Sequence, residues 1–80
     1  MSLARRFRRF DVRACLERGE EPIHEIRRSV AQLNVNEGLT VIAPFLPSPL
    51  IELLRSEGFE SKLERGQNGD WMVSFWRAEG

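Results

Sequence analysis

The chain has 80 residues, and its 12 basic and 12 acidic residues cancel at neutral pH. This length allows one small domain, since a chain of this size buries only about 60 to 65 percent of its unfolded surface. A single cysteine cannot form an internal disulfide. One cysteine and one histidine cannot supply the four ligands of a structural zinc ion without a second chain. We therefore expect no cofactor.

The start of the chain is rich in arginine. Arg5, Arg6, Arg8 and Arg9 offer contacts to nucleic acid or to an acidic partner, but the neutral total disfavours a dedicated nucleic-acid binder. We expect residues 1–9 to form a flexible basic leader and residues 10–78 to form a single domain. No stretch approaches the roughly 20 apolar residues that span a bilayer, which predicts a cytoplasmic protein with no membrane contact.

The first predicted strand is short and leads into a loop. Phe10 and Val12 flank Asp11 with a period of two. Beyond the loop, two glutamates precede Pro22, and a proline with nearby acids is typical of a helix start. We expect this helix to run from about Pro22 to Leu33, because its apolar residues recur at spacings of three and four: Ile23, Ile26, Val30 and Leu33.

The middle of the chain predicts a second strand and a second helix. The apolar segment from Leu39 to Ala43 is typical of a central strand. The segment 44–47 is expected to be extended, because a proline biases the preceding residue away from helix. Ser48 as N-cap and Pro49 in the first turn then begin the second helix.

The last part of the chain predicts a hairpin. A strand ending at Arg65 and a strand from Trp71 to Trp76 are joined through Asn68-Gly69, a strong hairpin signal. The right-handed crossover rule makes the first two strands parallel, with the helices on one face. The sequence therefore predicts an α/β (α+β) two-layer sandwich in the order β-α-β-α-β-β, with a four-stranded mixed sheet and two helices on one face.

The motifs resemble those of the TusA/SirA family. Asp11-Val12-Arg13, followed by the segment 19–22 and an amphipathic helix, resembles the start of that family, where a Cys-Pro-x-Pro motif opens the first helix. Gly19 stands where the family has its cysteine, whereas Pro22 keeps the second proline. The resemblance extends to Arg77 and implies a TusA-like fold. It is closer to the uncharacterised branch, a domain of unknown function without that cysteine, so it does not imply a sulfur-carrier role.

One edge of the predicted sheet gathers the candidate binding residues. The loops after the two parallel strands and the N-termini of both helices lie at the same end, where backbone donors favour an anion. We expect a protein partner or a small ligand to bind there, at Arg13, Gly19, Glu21, Pro22, His24, Phe45 and Pro47. The competing interpretation is that the glycine and the prolines only shape turns and that Phe45 only fills the space between the helices.

Cys15 is the candidate nucleophile. A thiol near a helix N-terminus or an arginine has a lowered pKa, so a thiol-dependent sulfur carrier is the alternative function, and an unreactive small side chain is the competing interpretation. His24 is a residue type that acts as a general base or a metal ligand, but it has no evident second ligand, so we expect no metal site.

The face of the sheet opposite the helices is a second candidate surface. Met72, Trp76 and Ile42 are expected to form a partly exposed apolar patch there, which favours a homodimer or docking to a larger protein. Polar neighbours such as Thr40 and Lys62 favour a solvated face instead. The sequence thus predicts a non-catalytic TusA-like domain that binds at the edge of its helix N-termini, with RNA binding through the arginine leader as a further, weaker alternative.

Overall fold

The fold is a four-stranded sheet with helices on one face, described for residues 5–78 by a computed structural model. The strands are β1 (Arg6–Asp11), β2 (Glu37–Ala43), β3 (Phe59–Arg65) and β4 (Trp71–Arg77), and the helices are α1 (Val12–Glu17), α2 (Pro22–Ala31) and α3 (Ser48–Ser56). The strand order is β1-β2-β4-β3, with β1 parallel to β2 and β4 antiparallel to both neighbours. The predicted two-layer sandwich with a mixed sheet is confirmed.

The core lies between the helices and one face of the sheet. Alternate residues of β2 and β4 point into it, and each helix contributes buried apolar side chains at helical spacing. These residues are Leu39, Val41, Ala43, Val73 and Phe75 from the sheet and Val12, Ile26, Val30, Leu50 and Leu54 from the helices. Within the described residues, no helix is long and apolar enough to cross a membrane.

The structure has three helices where two were expected. Residues 12–17, predicted to complete a strand and enter a loop, form α1 instead. Asp11 ends β1 and caps this helix, because its carboxylate accepts a hydrogen bond from the backbone N–H of Arg13 at 2.9 Å. Val12 and Cys15, three positions apart, then bury one face of α1.

The first strand begins earlier than predicted. Positions 1–4 of the expected flexible leader lie outside the described residues, but Arg6 to Arg9 belong to β1 and pair with β2 from Glu37 onward. Arg8 also forms an ion pair with Glu37 at 3.4 Å. The expectation of a leader is therefore corrected for residues 6–9, because pairing along β2 orders the arginine-rich segment.

The hairpin between β3 and β4 forms as predicted. Asn68 and Gly69 both have positive φ, 64° and 80°, and the N–H of Asp70 donates to the carbonyl of Gln67 at 3.4 Å. Two consecutive left-handed residues are typical of a type I′ turn, whose twist suits antiparallel strands. This turn sets the register in which Arg65 lies opposite Trp71.

Candidate binding cleft

An apolar cleft of about 430 Å³ lies where α1, the start of α2 and the loop between β2 and α3 meet. The topology creates it, because β1 and β2 are parallel and the segments that follow them leave the sheet at the same edge. The lining residues are Val12, Leu16, Glu20, Glu21, Pro22, Ile23, Ile26, Phe45, Pro47, Pro49 and Leu50.

The rim of the cleft exposes large apolar side chains. Its floor includes Val12, Ile26 and Leu50, which are buried. On the rim, Leu16 is 45% exposed and Phe45 is 50% exposed. Leu46, next along the loop, is 42% exposed. Two of the large apolar side chains that line the cleft are therefore about half exposed.

Four of the predicted binding residues line this cleft: Glu21, Pro22, Phe45 and Pro47. Pro22 and Pro47 shape its walls, because Pro22 begins α2 and Pro47 is the residue before α3. Phe45 is not a buried filler between helices, since half of its surface is exposed. The fold thus brings together residues from the segments that follow β1 and β2 at the expected edge of the sheet.

Three predicted residues lie away from the cleft lining. Gly19 adopts a positive φ of 73° in the turn between α1 and α2, which is a role in the turn. The side chain of His24 is 75% exposed, with Nε2 3.6 Å from a carboxylate oxygen of Glu21. Arg13 turns toward the hairpin, where its guanidinium donates to Asp70 at 2.8 Å.

The family comparison covers nearly all of the described fold. Residues 9–77 match the family model described as "Uncharacterized conserved protein (DUF2249)". The chain belongs to the DUF2249 family. No curated protein and no solved structure matches it. Because the family description names no activity, the function of this DUF2249 domain has to be argued from its geometry.

The charges at the cleft are acidic. Glu20 and Glu21 are the two charged residues among those that line it. Glu20 forms an ion pair with Arg18, whereas the nearest partner of the exposed Glu21 carboxylate is His24. Carboxylates at the start of α2 occupy the positive end of its helix dipole. The charged side chains that line the cleft of the DUF2249 domain are therefore carboxylates.

Cys15 is fully buried in this DUF2249 domain. Its thiol donates to the carbonyl of Glu20 at 3.6 Å, and the Glu20 N–H donates back to the carbonyl of Cys15 at 3.1 Å. Burial raises the pKa of the Cys15 thiol, and the negative charge of Glu20 raises it further, against the opposing effect of Arg18. Cys15 thus supports the turn between α1 and α2 and is poorly placed for attack on a substrate.

The described part of the DUF2249 domain contains no cluster of potential metal ligands. Across residues 5–78, no group of three or more histidine, cysteine, aspartate or glutamate side chains is placed to hold a metal ion.

Seven residues that line the cleft were not among the binding residues predicted from the sequence: Val12, Leu16, Glu20, Ile23, Ile26, Pro49 and Leu50. Leu16 follows Val12 by four positions, so both lie on the same side of α1. The signal that reveals this relationship is Asp11 as an N-cap followed by apolar residues at helical spacing. That signal is short, and the alternation of Phe10 and Val12 around Asp11 concealed it.

Proposed function

We propose that this DUF2249 domain is a non-catalytic binding domain whose cleft accepts apolar side chains of a protein partner. The observation that carries the proposal is the exposure of Leu16 and Phe45, two large apolar side chains that line one apolar cleft. Exposed apolar side chains that cluster on a small protein mark an interaction surface, because their burial against a partner is favourable. The relation to the TusA/SirA carriers stays a prediction.

A protein partner is favoured over a small ligand by the shape of the surface. A small-molecule site encloses most of its ligand, whereas here Leu16 and Phe45 of the cleft lining remain 45% and 50% exposed. If one side chain of a partner protein entered the cleft, the neighbouring side chains of that partner would contact the rim. A small apolar ligand is the other outcome that the experiment distinguishes.

The charges define the chemistry of the partner segment. Glu20 and Glu21 stand beside the apolar lining, so a lysine or arginine next to the apolar side chains would gain a favourable contact. We therefore expect the partner segment to combine apolar side chains with basic ones. The thiol-dependent carrier is not retained as a second function, because Cys15 is buried and its pKa is raised.

The proposal is tested by selecting peptides and then mapping where they bind. A phage library of random twelve-residue peptides is selected on the full chain, and the enriched peptide is titrated into isotope-labelled protein while backbone amide shifts are followed by NMR. We expect enrichment of apolar and basic residues, with shift changes concentrated at residues 16–26 and 45–50. Indole is titrated in parallel as a small apolar probe.

The outcomes separate the two ligand classes. Cleft shifts with the peptide support the proposal. Cleft shifts with indole alone would replace the protein partner by a small ligand. No enrichment, or an enriched peptide whose shifts lie elsewhere on the fold, would overturn the proposal.

A further inference from the structure

The face of the sheet opposite the helices, here called the open face, carries the apolar side chains of Ile42, Met72 and Trp76 on its two central strands. They form its apolar centre, which also holds the hydroxyl groups of Thr40 and Ser74, hydrogen-bonded at 2.9 Å. The residues of the open face alternate with the core residues along each strand. Thr40 and Ile42 lie on this face, yet they are only 8% and 9% exposed, because longer side chains of neighbouring strands shield them. Met72 and Trp76 from β4 are half-buried beside them.

An aromatic pair crosses the open face above Gly38. A Cβ atom at Gly38 would lie 2.4 Å from a ring carbon of Phe7, so the absence of a side chain lets that ring rest on β2. The ring reaches across to Trp76, with centroids 6.2 Å apart and planes at 89°. Such edge-to-face pairs are favourable. Phe7 nevertheless stays 41% exposed, so the pair still presents apolar surface to another molecule.

The charges on the open face are divided between its two edge strands. Arg9 lies along one edge in β1, and Glu60, Lys62 and Glu64 lie along the other edge in β3, which therefore keeps a net negative charge. Arg5, just before β1, reaches across the face, with its guanidinium carbon 5.6 Å from the centroid of the Trp76 ring. Glu60 accepts a hydrogen bond from the indole N–H of Trp76 at 2.9 Å. The ion pairs found within residues 5–78 involve none of these side chains.

We propose that the open face binds a second copy of this chain in a symmetric dimer. The strand order β1-β2-β4-β3 places the basic edge and the acidic edge on opposite sides of the apolar centre. A two-fold axis that runs along the strands between β2 and β4 lays β1 of each copy over β3 of the other. The face is thus complementary to itself, as an isologous interface requires.

The register of the charges fits the way in which sheets pack. Residues that lie opposite one another on the four strands form a row across the sheet. One such row runs from Arg9 through its partner Thr40 and then Ser74 to Lys62. Two aligned sheets rotate by about 30° relative to each other, which displaces an edge strand by roughly half the spacing between such rows. The sense of this rotation moves Arg9 away from Lys62 of the second copy and toward its Glu64.

The pair of Arg9 with Glu64 of the second copy then occurs twice around the apolar centre, once on each side of the axis. Complementary charges at the rim of an interface select the partner and fix its register. A single-stranded nucleic acid fits this face less well, because the carboxylates of β3 would repel its phosphates.

The size of the face predicts a weak dimer. Four strands of six or seven residues cover about 19 by 23 Å, which corresponds to roughly 900 Å² for the two copies together. This area is below the usual range for a stable complex and resembles that of transient ones. We therefore expect a reversible dimer with a dissociation constant in the micromolar range or above.

The dimer is tested with variants in which the charges of Arg9 and Glu64 are reversed. Their association is measured by sedimentation velocity at protein concentrations between about 1 µM and 1 mM. Wild type is expected to shift from monomer to dimer, whereas Arg9→Glu and Glu64→Arg should each raise the dissociation constant at least about tenfold through like-charge contacts. The double variant Arg9→Glu/Glu64→Arg restores opposite charges and should return to within about threefold of wild type. Circular dichroism checks that each variant is folded.

A cleft variant separates this proposal from the proposed function. Phe45→Asp alters the cleft on the helix side and should leave the dimer constant unchanged. A wild-type chain that stays monomeric up to 1 mM would overturn the dimer. So would a folded double variant that dimerises as weakly as the two single variants. Neither result bears on peptide binding in the cleft.

Discussion

Asp11 connects three parts of the fold through its contacts with Arg13. Its carboxylate caps α1 and also accepts two hydrogen bonds from the guanidinium of Arg13, each 3.0 Å long. The same guanidinium donates to Asp70 just before β4. Arg13, predicted as a binding residue, thus joins the end of β1 to the hairpin. A side chain held by two carboxylates on different elements contributes to structure.

The pKa of Asp11 predicts how stability depends on pH. The side-chain hydrogen bonds from Arg13 hold this pKa below its usual value of 3.8. The resulting contribution to stability is fully present above about pH 5 and is lost as the pH falls through the lowered pKa. Asp11→Asn keeps a capping side chain but removes the charge. Urea unfolding should show Asp11→Asn less stable than wild type at pH 7, with a smaller difference at pH 2.5. An equal difference at both pH values would contradict this account.

The burial of Cys15 predicts slow reaction with thiol reagents. Its thiol is enclosed beneath the turn between α1 and α2 and its pKa is raised, so a reagent reaches it only when the domain opens. Intact-mass analysis with iodoacetamide at pH 7.5 should show modification at least about 100-fold slower in the native chain than in urea. Modification at the unfolded rate would place the thiol on the surface and revive the carrier alternative.

At the scale of elements, periodicity made most of the fold predictable. α2, α3, β2 and the hairpin follow from apolar spacing, prolines in the first turns and the Asn68-Gly69 turn. α1 was not predictable in the same way, because six residues give too few repeats to outweigh the alternation around Asp11. The start of β1 was missed because its arginines resemble a solvated tail, and only pairing with β2 orders them.

The candidate site was also predictable only in part. Glu21, Pro22, Phe45 and Pro47 could be placed together because parallel strands send their following loops to one edge. Topology does not fix the direction in which a side chain points. His24 and Arg13 were therefore assigned to the site, although their positions on α2 and α1 direct them away from it, and Leu16 was missed together with α1.

The pairing of β1 with β2 predicts a strong effect of a small substitution. Gly38→Ala places a Cβ atom 2.4 Å from the Phe7 ring and 2.6 Å from the backbone oxygen of Phe75, so β1 or β4 has to move. We expect the free energy of unfolding to fall by about 1 to 3 kcal/mol in urea denaturation. Gly66→Ala is the matched control, because the nearest atoms there lie 3.4 Å away in the flexible side chain of Met72. Equal effects of both substitutions would argue against the close packing of Phe7 on Gly38.

At the scale of the whole molecule, the two proposed surfaces lie on opposite sides of one sheet. The cleft belongs to the helix layer, whereas the open face is formed by the strands alone. A dimer through the open face would leave both clefts directed outward, so that two partner segments could bind at once. Such a bivalent molecule would hold a multivalent partner more tightly than either cleft alone.

The proposed binding site is the apolar rim of the cleft. The most direct test measures the affinity of the selected peptide for wild type, Phe45→Asp and Leu63→Asp by isothermal titration calorimetry. Leu63 is the matched control, because it is 44% exposed on β3 and does not line the cleft. The account predicts that Phe45→Asp weakens binding at least about tenfold, while Leu63→Asp binds as wild type does. Unchanged binding by a folded Phe45→Asp, or an equal loss in Leu63→Asp, would contradict it.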